Sequence, residues 1–346
     1  MNPFSSKLPI NEATIRAAYK FMLRREPDSP ESVEKAVAYF KTVEQLEQSI
    51  RDSNEWRELQ VKNSLNASSQ KITKFYSQRG YPIYLDLSDS SVSGQIWLTD
   101  HFEPHVERMI VAHTNWDEKF VDVGANIGWF TMMVATEMRK FGSAGNVDCF
   151  EPNPELATVL SASILENSLR DRIRLRSIAI SDKVGIEKLY SPEDHAAGGK
   201  ILDASWQKHT DQESNDDEDT WSNENHASMH RAVDIVTTAT LDDFYGKSDK
   251  KIGLIKLDVE GHEPLALKGA VNTLKTHKPK LIVEVNPAAL ELSSKYSLEA
   301  FLALIGELDY SFYEPEKLDK ALDIGRAKEL IVEKGYSDFL AISNDN

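Results

Sequence analysis

Four side chains able to move protons or bind ions alternate along one short segment of the chain: Lys256, Asp258, Glu260 and His262. In an extended backbone alternate residues share one side, so the last three are expected to converge. Gly261 lies among them, and a glycine is able to break the alternation. His262 is the leading candidate for a general base, because its imidazole titrates near pH 7. Asp258 and Glu260 are the alternatives, and each is expected to be influenced by the negative charge of the other.

The same acids raise the question of a metal ion. Asp258, Glu260 and Glu284 would supply its oxygen ligands, Glu284 from the end of the next predicted strand. We do not expect a metal, although the residue types permit one. Lys256 is expected to pair with these acids or to steady the oxygen of an acceptor molecule.

A second group of residues forms a glycine-bearing turn, from Asp122 to Gly128, between an apolar strand and an amphipathic helix. The start of such a helix has unpaired N–H groups and a positive dipole end, which favour an anionic group. The next apolar run, Val147–Phe150, ends in Glu151. An acid at that position commonly binds ribose hydroxyls. The sequence therefore predicts a site for a nucleoside cofactor.

The glycine spacing indicates which cofactor it is. A dinucleotide fingerprint reads Gly-x-Gly-x-x-Gly. In this chain the glycines are Gly124 and Gly128, with Ala125 and Asn126 between them, so the middle glycine of the fingerprint is absent. Asp122 before the turn suits a cofactor that carries a cation. S-adenosylmethionine has an amino group and a sulfonium, so we favour it over NAD. The residues expected to bind the cofactor or shape its turn are Asp122, Gly124, Asn126, Gly128, Glu151, Asn153, Ala179 and Ser181.

The elements that position these residues alternate between apolar runs and helical patterns, which predicts an α/β protein with a doubly wound, mostly parallel sheet. The strand candidates are 120–123, 147–150, 173–180, 252–257 and 280–285, and residues 81–98 are expected to form strands ahead of them. Between the first two strands a helical pattern predicts core positions at Ile127, Phe130, Met133, Val134 and Phe141.

The rest of the sequence indicates how the chain is organised into domains. Residues 1–60 read as a helical N-terminal domain, residues 61–75 as a polar linker, and residues 76–346 as the α/β domain. An insert at about 203–231 includes seven acids and no Lys or Arg between Asp211 and Glu224. Such a run usually stays solvated and mobile, and the alternative is a lid over the acceptor, with Trp206 and Trp221 at its flanks.

Four motifs in order resemble the FkbM family of S-adenosylmethionine-dependent methyltransferases. They are the turn at 122–128, Glu151-Pro152-Asn153-Pro154, Thr240-Leu241-Asp242-Asp243-Phe244, and the segment at 255–270. The resemblance covers roughly residues 75–345 and implies a Rossmann-like class I methyltransferase domain. It also implies O-methylation, often of a sugar in a glycan or natural product. Asp258 and Glu260 are usual in the family, whereas Ala is common at the position of His262. The alternative function is a non-catalytic, cofactor-binding scaffold protein in a glycan-modifying assembly.

The N-terminal region carries a second resemblance. Ala18–Asp28, followed by Asp52–Trp56, is similar to a small helical domain, distantly like the phycobilisome linker domain, that accompanies glycan-modifying proteins. The resemblance implies that these helices dock a protein partner or the glycan carrier. A plain helical cap on the catalytic domain is the alternative interpretation.

Composition narrows the possible partners. The formal charge of −16 argues against a nucleic-acid partner, because phosphate backbones demand clustered Lys and Arg. Cys149, the single cysteine, precludes an internal disulfide and is expected to be buried. The sequence shows neither a signal peptide nor an apolar run long enough for a membrane span, so we expect a cytoplasmic protein with a small-molecule or glycan acceptor. The sequence does not indicate an oligomeric state.

Overall fold

The described residues form two compact units, Met1–Lys71 and Ile72–Asn346. The structure, a computed structural model, describes residues 10–23, 26–42, 45–46, 49–50, 53, 72–89, 91–191, 199–201, 232–314 and 317–345. The acidic insert predicted at 203–231 and most of the predicted linker lie outside these residues.

In the N-terminal unit the structure gives full bounds for helices α1 (Glu12–Met22) and α2 (Pro30–Tyr39), and residues 45–46 and 49–50 are also helical. Asn11 caps α1, because its side chain accepts a hydrogen bond from the Thr14 backbone N–H at 3.0 Å. Ser29 caps α2 through a capping box with Ser32. The buried apolar residues of this unit are Ile15, Ala18, Leu23, Val33, Leu46 and Ile50. Trp56, the last residue of the segment that resembles the small helical domain, lies outside the described residues.

The second unit begins with the antiparallel pair β1 (Ile72–Tyr76) and β2 (Pro82–Asp86). Strand β1 therefore starts inside the segment predicted as a linker. Two helices follow, α3 (Val92–Thr99) and α4 (Pro104–His113). The prediction of strands throughout residues 81–98 is wrong for its second half. Asp89 explains the change, because its carboxylate accepts hydrogen bonds from the backbone N–H groups of Val92 and Ser93 and so starts a helix.

An eight-stranded sheet forms the centre of this unit, in the order β13-β12-β14-β11-β10-β3-β4-β5. The five strands β11, β10, β3, β4 and β5 are parallel to one another. Strand β14 is antiparallel to both β11 and β12. This is the predicted α/β arrangement with a mostly parallel sheet, of the Rossmann-like type. The strands are β3 (Lys119–Val123), β4 (Val147–Phe150), β5 (Ile173–Arg176), β10 (Ile252–Leu257), β11 (Lys280–Val285), β12 (Tyr310–Glu314), β13 (Lys317–Ala321) and β14 (Ser337–Ser343).

Helices accompany the sheet along the chain. Their bounds are α5 (Trp129–Phe141), α6 (Pro154–Glu166), α7 (Leu241–Tyr245), α8 (Glu263–Lys268), α9 (Val271–His277), α10 (Pro287–Ser293), α11 (Leu298–Glu307) and α12 (Ile324–Lys334). Of the predicted core positions around α5, Ile127, Phe130, Met133 and Val134 are buried. Phe141 is 63% exposed, so that prediction is wrong. It is the last residue of α5, where Gly142 ends the helix in a left-handed conformation.

A smaller, four-stranded sheet has the order β6-β9-β7-β8. Its strands are β6 (Ala179–Ile180), β7 (Gly185–Ser191), β8 (Lys200–Ile201) and β9 (Ala232–Ala239). The single strand predicted over 173–180 is thus divided, because β5 pairs with β4 whereas β6 pairs with β9 of the smaller sheet. In the described part of the chain, no helix is long and apolar enough to cross a membrane.

Candidate active site

A cavity of about 660 Å³ opens at the carboxyl ends of the parallel strands. This is where ligands bind in open α/β sheets, and the volume is within the range of ligand sites. Its wall has two parts. The turn end comprises Gly124, Ala125, Asn126, Glu151 and Asn153, and the acidic end comprises Glu103, Lys256, Asp258, Glu260 and Glu284. Most of the sequence-predicted site residues are therefore brought to one cavity.

The glycine turn is fixed by packing against the neighbouring strand end. Gly124 has a φ of +82°, and a Cβ there would lie 1.8 Å from the carbonyl oxygen of Asp258. Gly128 has a φ of +88°, and a Cβ there would meet Leu160 Cδ1 at 2.1 Å. Both glycines are thus required by close approach of the protein itself, in addition to any ligand. Asn126 also has a positive φ, of +54°.

Glu151 is held at the turn by backbone N–H groups. Its Oε2 accepts from the N–H of Asn126 and its Oε1 from the N–H of Asn153, both at 2.8 Å. Burial raises the pKa of this carboxyl to about 7, although the two N–H donors act in the opposite direction. Each oxygen keeps a further lone pair that can accept a ligand hydroxyl. Asn153 in turn caps α6, so the strand end, the acid and the helix start form one rigid corner.

Three of the predicted cofactor residues are not among those that line the cavity: Asp122, Gly128 and Ser181. Asp122 lies beneath the turn with no solvent exposure, and its Oδ2 accepts from the Thr131 hydroxyl at 2.6 Å. Burial raises its pKa. Ser181 contacts the cavity wall indirectly, through His262. Ala179 does line the cavity.

The acidic end contains two ion pairs. Lys256 Nζ lies 2.9 Å from Asp258 Oδ2, and Lys200 Nζ lies 2.6 Å from Glu260 Oε2. Lys256 is almost completely buried. Burial acts to lower its pKa, but the carboxylates of Asp258, Asp122 and Glu103 outweigh that effect and raise it, so the ammonium stays charged. The carboxylates of Asp258 and Glu260 are both engaged in these pairs.

A turn, and not an extended strand, brings the predicted catalytic residues together. Strand β10 ends at Leu257, and Glu260 and Gly261 both have positive φ angles, of +55° and +91°. Glu263 supports this turn, because its Oε1 accepts from the N–H groups of Val259 at 2.9 Å and of Gly261 at 3.2 Å. The expected break at Gly261 is therefore present, yet Asp258, Glu260 and His262 all line the cavity.

His262 is buried and neutral at pH 7. Its Nε2 lies 3.0 Å from the Ser181 hydroxyl, and its Nδ1 has no hydrogen-bond partner among the described residues. Burial lowers the pKa of its imidazole to about 4. The ring is therefore a weak proton acceptor that is able to hydrogen-bond a ligand without carrying charge.

Two carboxyl groups of the acidic end have pKa values that are raised above those of free carboxyl groups. Burial, followed by the charge of Asp258, raises the pKa of Glu103 to about 8, and the same two causes raise the pKa of Glu284 well above its usual range. Nearby, His105 Nε2 lies 2.6 Å from Asp338 Oδ2. The sequence reasoning missed Glu103 and His105. The one available signal was the Glu103-Pro104 pair, which marks the start of a helix.

The described residues contain no group of three His, Cys, Asp or Glu side chains placed to hold a metal ion. The three residues that the sequence offered as ligands explain why. Asp258 and Glu260 are paired with lysines, and Glu284 is a carboxyl group whose pKa is strongly raised.

Comparison with known families decides the class of the protein. A family model described as the methyltransferase FkbM domain matches residues 122–312, more than half of the chain. The chain belongs to the FkbM methyltransferase family. The match begins at Asp122, at the start of the glycine turn, and includes Glu151 and the whole segment from Lys256 to Glu284.

Similar solved structures are distant relatives. The methyltransferase FkbM from Methylobacillus flagellatus KT is 15% identical, with a TM-score of 0.39, and the match covers 94% of this chain and 58% of that one. A TehB-like SAM-dependent methyltransferase from Corynebacterium glutamicum is 9% identical (TM-score 0.37; 72% and 92% covered). A SAM-dependent O-methyltransferase from Thermotoga maritima is 12% identical (TM-score 0.37; 79% and 86% covered). No curated protein matches the chain.

Proposed function

We propose that this FkbM-family protein is an S-adenosylmethionine-dependent O-methyltransferase that methylates a hydroxyl of a sugar, glycan or natural product. One observation carries the proposal. Within a cavity of a methyltransferase domain, the Glu151 carboxylate is fixed by two backbone N–H groups at the turn, and its remaining lone pairs suit the two hydroxyls of a ribose.

The polar groups of the turn end suit the parts of the cofactor. Glu151 and Asn153 would hold the ribose, Ala179 would lie beside the adenine, and the backbone of Gly124–Asn126 would face the methionine part. Asp122 would act from beneath the turn, through its negative charge, in favour of a cationic cofactor. When bound, S-adenosylmethionine supplies an electrophilic methyl group on sulfur.

The acidic end is the proposed place of the acceptor. An alcohol must lose its proton as it is methylated, and the acceptor oxygen must lie in line with the methyl group. Lys256 would steady the acceptor, with its ammonium held by Asp258 at 2.9 Å. His262, Asp258 and Glu260 are the proton acceptors that the sequence offers. In the structure Asp258 and Glu260 are paired with Lys256 and Lys200, and among the described residues His262 contacts the Ser181 hydroxyl through Nε2 alone.

We further propose that the acceptor is a small molecule or glycan, that nucleic acid is not a partner, that the protein acts in the cytoplasm, and that α1 and α2 contact a protein partner or the glycan carrier. The charge of −16 supports the exclusion of nucleic acid.

Calorimetric titration tests the cofactor. S-adenosylmethionine, S-adenosylhomocysteine and NAD are titrated separately into the protein, in EDTA and in Mg²⁺. We expect micromolar binding of the first two, equal in EDTA and Mg²⁺. Binding of NAD alone would overturn the assignment, and a requirement for Mg²⁺ would restore the metal site. A panel of methyl glycosides and free sugars, with S-adenosylhomocysteine release as the readout, then tests the acceptor; binding without turnover would favour the scaffold function.

A further inference from the structure

Glu103 is a carboxyl group in the cavity wall that no motif identifies. It lies in the loop between α3 and α4, and it lines the cavity together with Lys256 and Asp258. Its Oε2 is buried and, in the part of the chain that the structure describes, has no hydrogen-bond partner. A buried polar atom without a partner is costly, so its presence calls for an explanation.

The backbone of Glu103 is in a conformation that a glutamate rarely adopts. Its φ is +44°, in the left-handed region. The next residue is Pro104, which normally forces its predecessor into an extended conformation. Glu103 also stands at the N-cap of α4 without making a side-chain capping bond. The side chain thus makes no capping bond to α4, and Glu103 lines the cavity from a strained backbone position, as functional residues often do.

The surrounding structure holds this loop in place through Glu107. That buried carboxylate accepts from Trp129 Nε1 at 2.7 Å, pairs with Arg79, and lies 3.1 Å from His101 Nδ1. Trp129 is the first residue of α5, directly after the glycine turn. On the other side of the loop, Asp100 accepts from the Gln78 backbone N–H at 2.7 Å. The loop that carries Glu103 and the start of α5 thus contact one shared carboxylate.

The charges around Glu103 distinguish it from Asp258 and Glu260, although Glu284 shares the raised pKa. Asp258 and Glu260 are each paired with a lysine, at 2.9 and 2.6 Å. His262 is engaged by Ser181 and is neutral. The acid groups that act on Glu103 are Asp258, Glu260 and Asp338, and the cation is Lys256. Asp338 is itself 2.6 Å from His105.

We propose that Glu103 is the catalytic residue that accepts the proton of the acceptor hydroxyl; this rests on the proposed methyl transfer. In that step the acceptor oxygen forms a bond to the methyl carbon, the carbon–sulfur bond breaks, and its electron pair stays on the sulfur as a thioether. The hydroxyl proton passes to Glu103 Oε2, which later releases it to solvent. Only the ionised form of Glu103 can act, and with a pKa of about 8 that carboxylate is a stronger base than an ordinary glutamate, so turnover should rise as the pH passes from 7 to 8.

Binding of two cofactor analogues tests the placement of Glu103 without an acceptor. S-adenosylhomocysteine lacks the methyl group, whereas sinefungin has an amine on carbon where the methyl sulfonium would be. Both are titrated into the wild-type protein and Glu103→Gln. We expect the wild-type protein to bind sinefungin more tightly, and this preference to fall about tenfold in the variant, because a charge-assisted hydrogen bond is lost. S-adenosylhomocysteine affinity should stay within about twofold.

The outcomes separate the two proposals. If the wild-type protein does not bind S-adenosylhomocysteine, the proposed function fails. If it binds both analogues equally, or if Glu103→Gln keeps the preference, the role of Glu103 is overturned. The exposed Glu291→Gln serves as the matched control for loss of one acid. Should Glu103→Gln not fold, Glu103→Gly replaces it, because glycine accepts the positive φ. With an acceptor from the glycoside panel, kcat should fall at least about 100-fold at unchanged acceptor KM.

Discussion

The two ends of the cavity differ in how their polar groups are satisfied. At the turn end, both oxygens of Glu151 accept backbone N–H groups, and Asn153 caps a helix. At the acidic end, Glu103 retains a buried oxygen without a partner in the described structure, and Glu284 has a strongly raised pKa. Both oxygens of Glu151 are therefore hydrogen-bonded before a ligand arrives, although burial raises its pKa, whereas the acidic end retains an unsatisfied oxygen that a ligand would relieve. Such strain is typical of sites that perform chemistry.

The close packing of the turn end should matter most for the stability of the fold. Gly124→Ala should lower the free energy of unfolding by about 3 kcal/mol, because its Cβ would clash with the Asp258 carbonyl and its φ is positive. Gly142→Ala is the matched control. It has a φ of +65° but no atom within 4 Å of its Cβ, so we expect a loss of about 1 kcal/mol. Denaturant unfolding of both variants measures the difference, and equal losses would show that the turn yields.

The next effect is on cofactor affinity. Glu151→Ala removes the acceptor of two backbone N–H groups and of the proposed ribose hydroxyls, and affinity for S-adenosylhomocysteine should fall about 10- to 100-fold. Calorimetry provides the measurement, and the exposed Glu155→Gln provides the control. Unchanged affinity in Glu151→Ala would mean that the ribose lies elsewhere.

A variant of His262 tests which group of the acidic end accepts the proton. His262→Ala should reduce turnover about tenfold through loss of a positioning hydrogen bond, with little change in cofactor affinity. The neutral ring, with a pKa of about 4, is too weakly basic to accept the acceptor proton efficiently at pH 7. Steady-state kinetics on the acceptor found in the glycoside panel gives the result. A fall equal to that of Glu103→Gln would make His262 the proton acceptor instead.

The smallest expected effect is on stability as the pH changes. Glu103 has a pKa of about 8, and Glu263 and Glu151 of about 7, all raised above their unfolded values by burial. A carboxyl with a raised pKa binds more protons when folded, so stability falls as pH rises through that range. The lowered pKa of His262 acts in the opposite direction only below about 6.5. Thermal unfolding should therefore show a lower Tm at pH 8 than at pH 6.5, with a smaller difference in Glu103→Gln.

The sequence predicted the turn end well because its residues follow one another along two strand–turn–helix units. The strands at 120–123 and 147–150 are present, and Glu151 lies at the end of the second. The convergence of Asp258, Glu260 and His262 was also predicted, but for a reason that the structure replaces. The turn at Glu260 and Gly261, supported by Glu263, brings them together instead of an extended strand.

Glu103 was beyond prediction because its position depends on contacts that are distant in the sequence. Its φ and the Glu107 contacts to Arg79 and Trp129 appear only in the folded chain. The wrong prediction at Phe141 has a different cause. Helical spacing identifies a face, but it does not show where the helix leaves the sheet.

The position of strand β14 in the sheet affects how the sheet assembles during synthesis. It follows β12 and β13 along the chain, yet it lies between β11 and β12 in the sheet. During synthesis β12 and β13 emerge before the strand that joins them to β11. The nascent chain must therefore leave the edge of β11 open until residues 337–343 are released from the ribosome. An exposed strand edge invites pairing with other chains, so we expect this stage to be the one most dependent on chaperones.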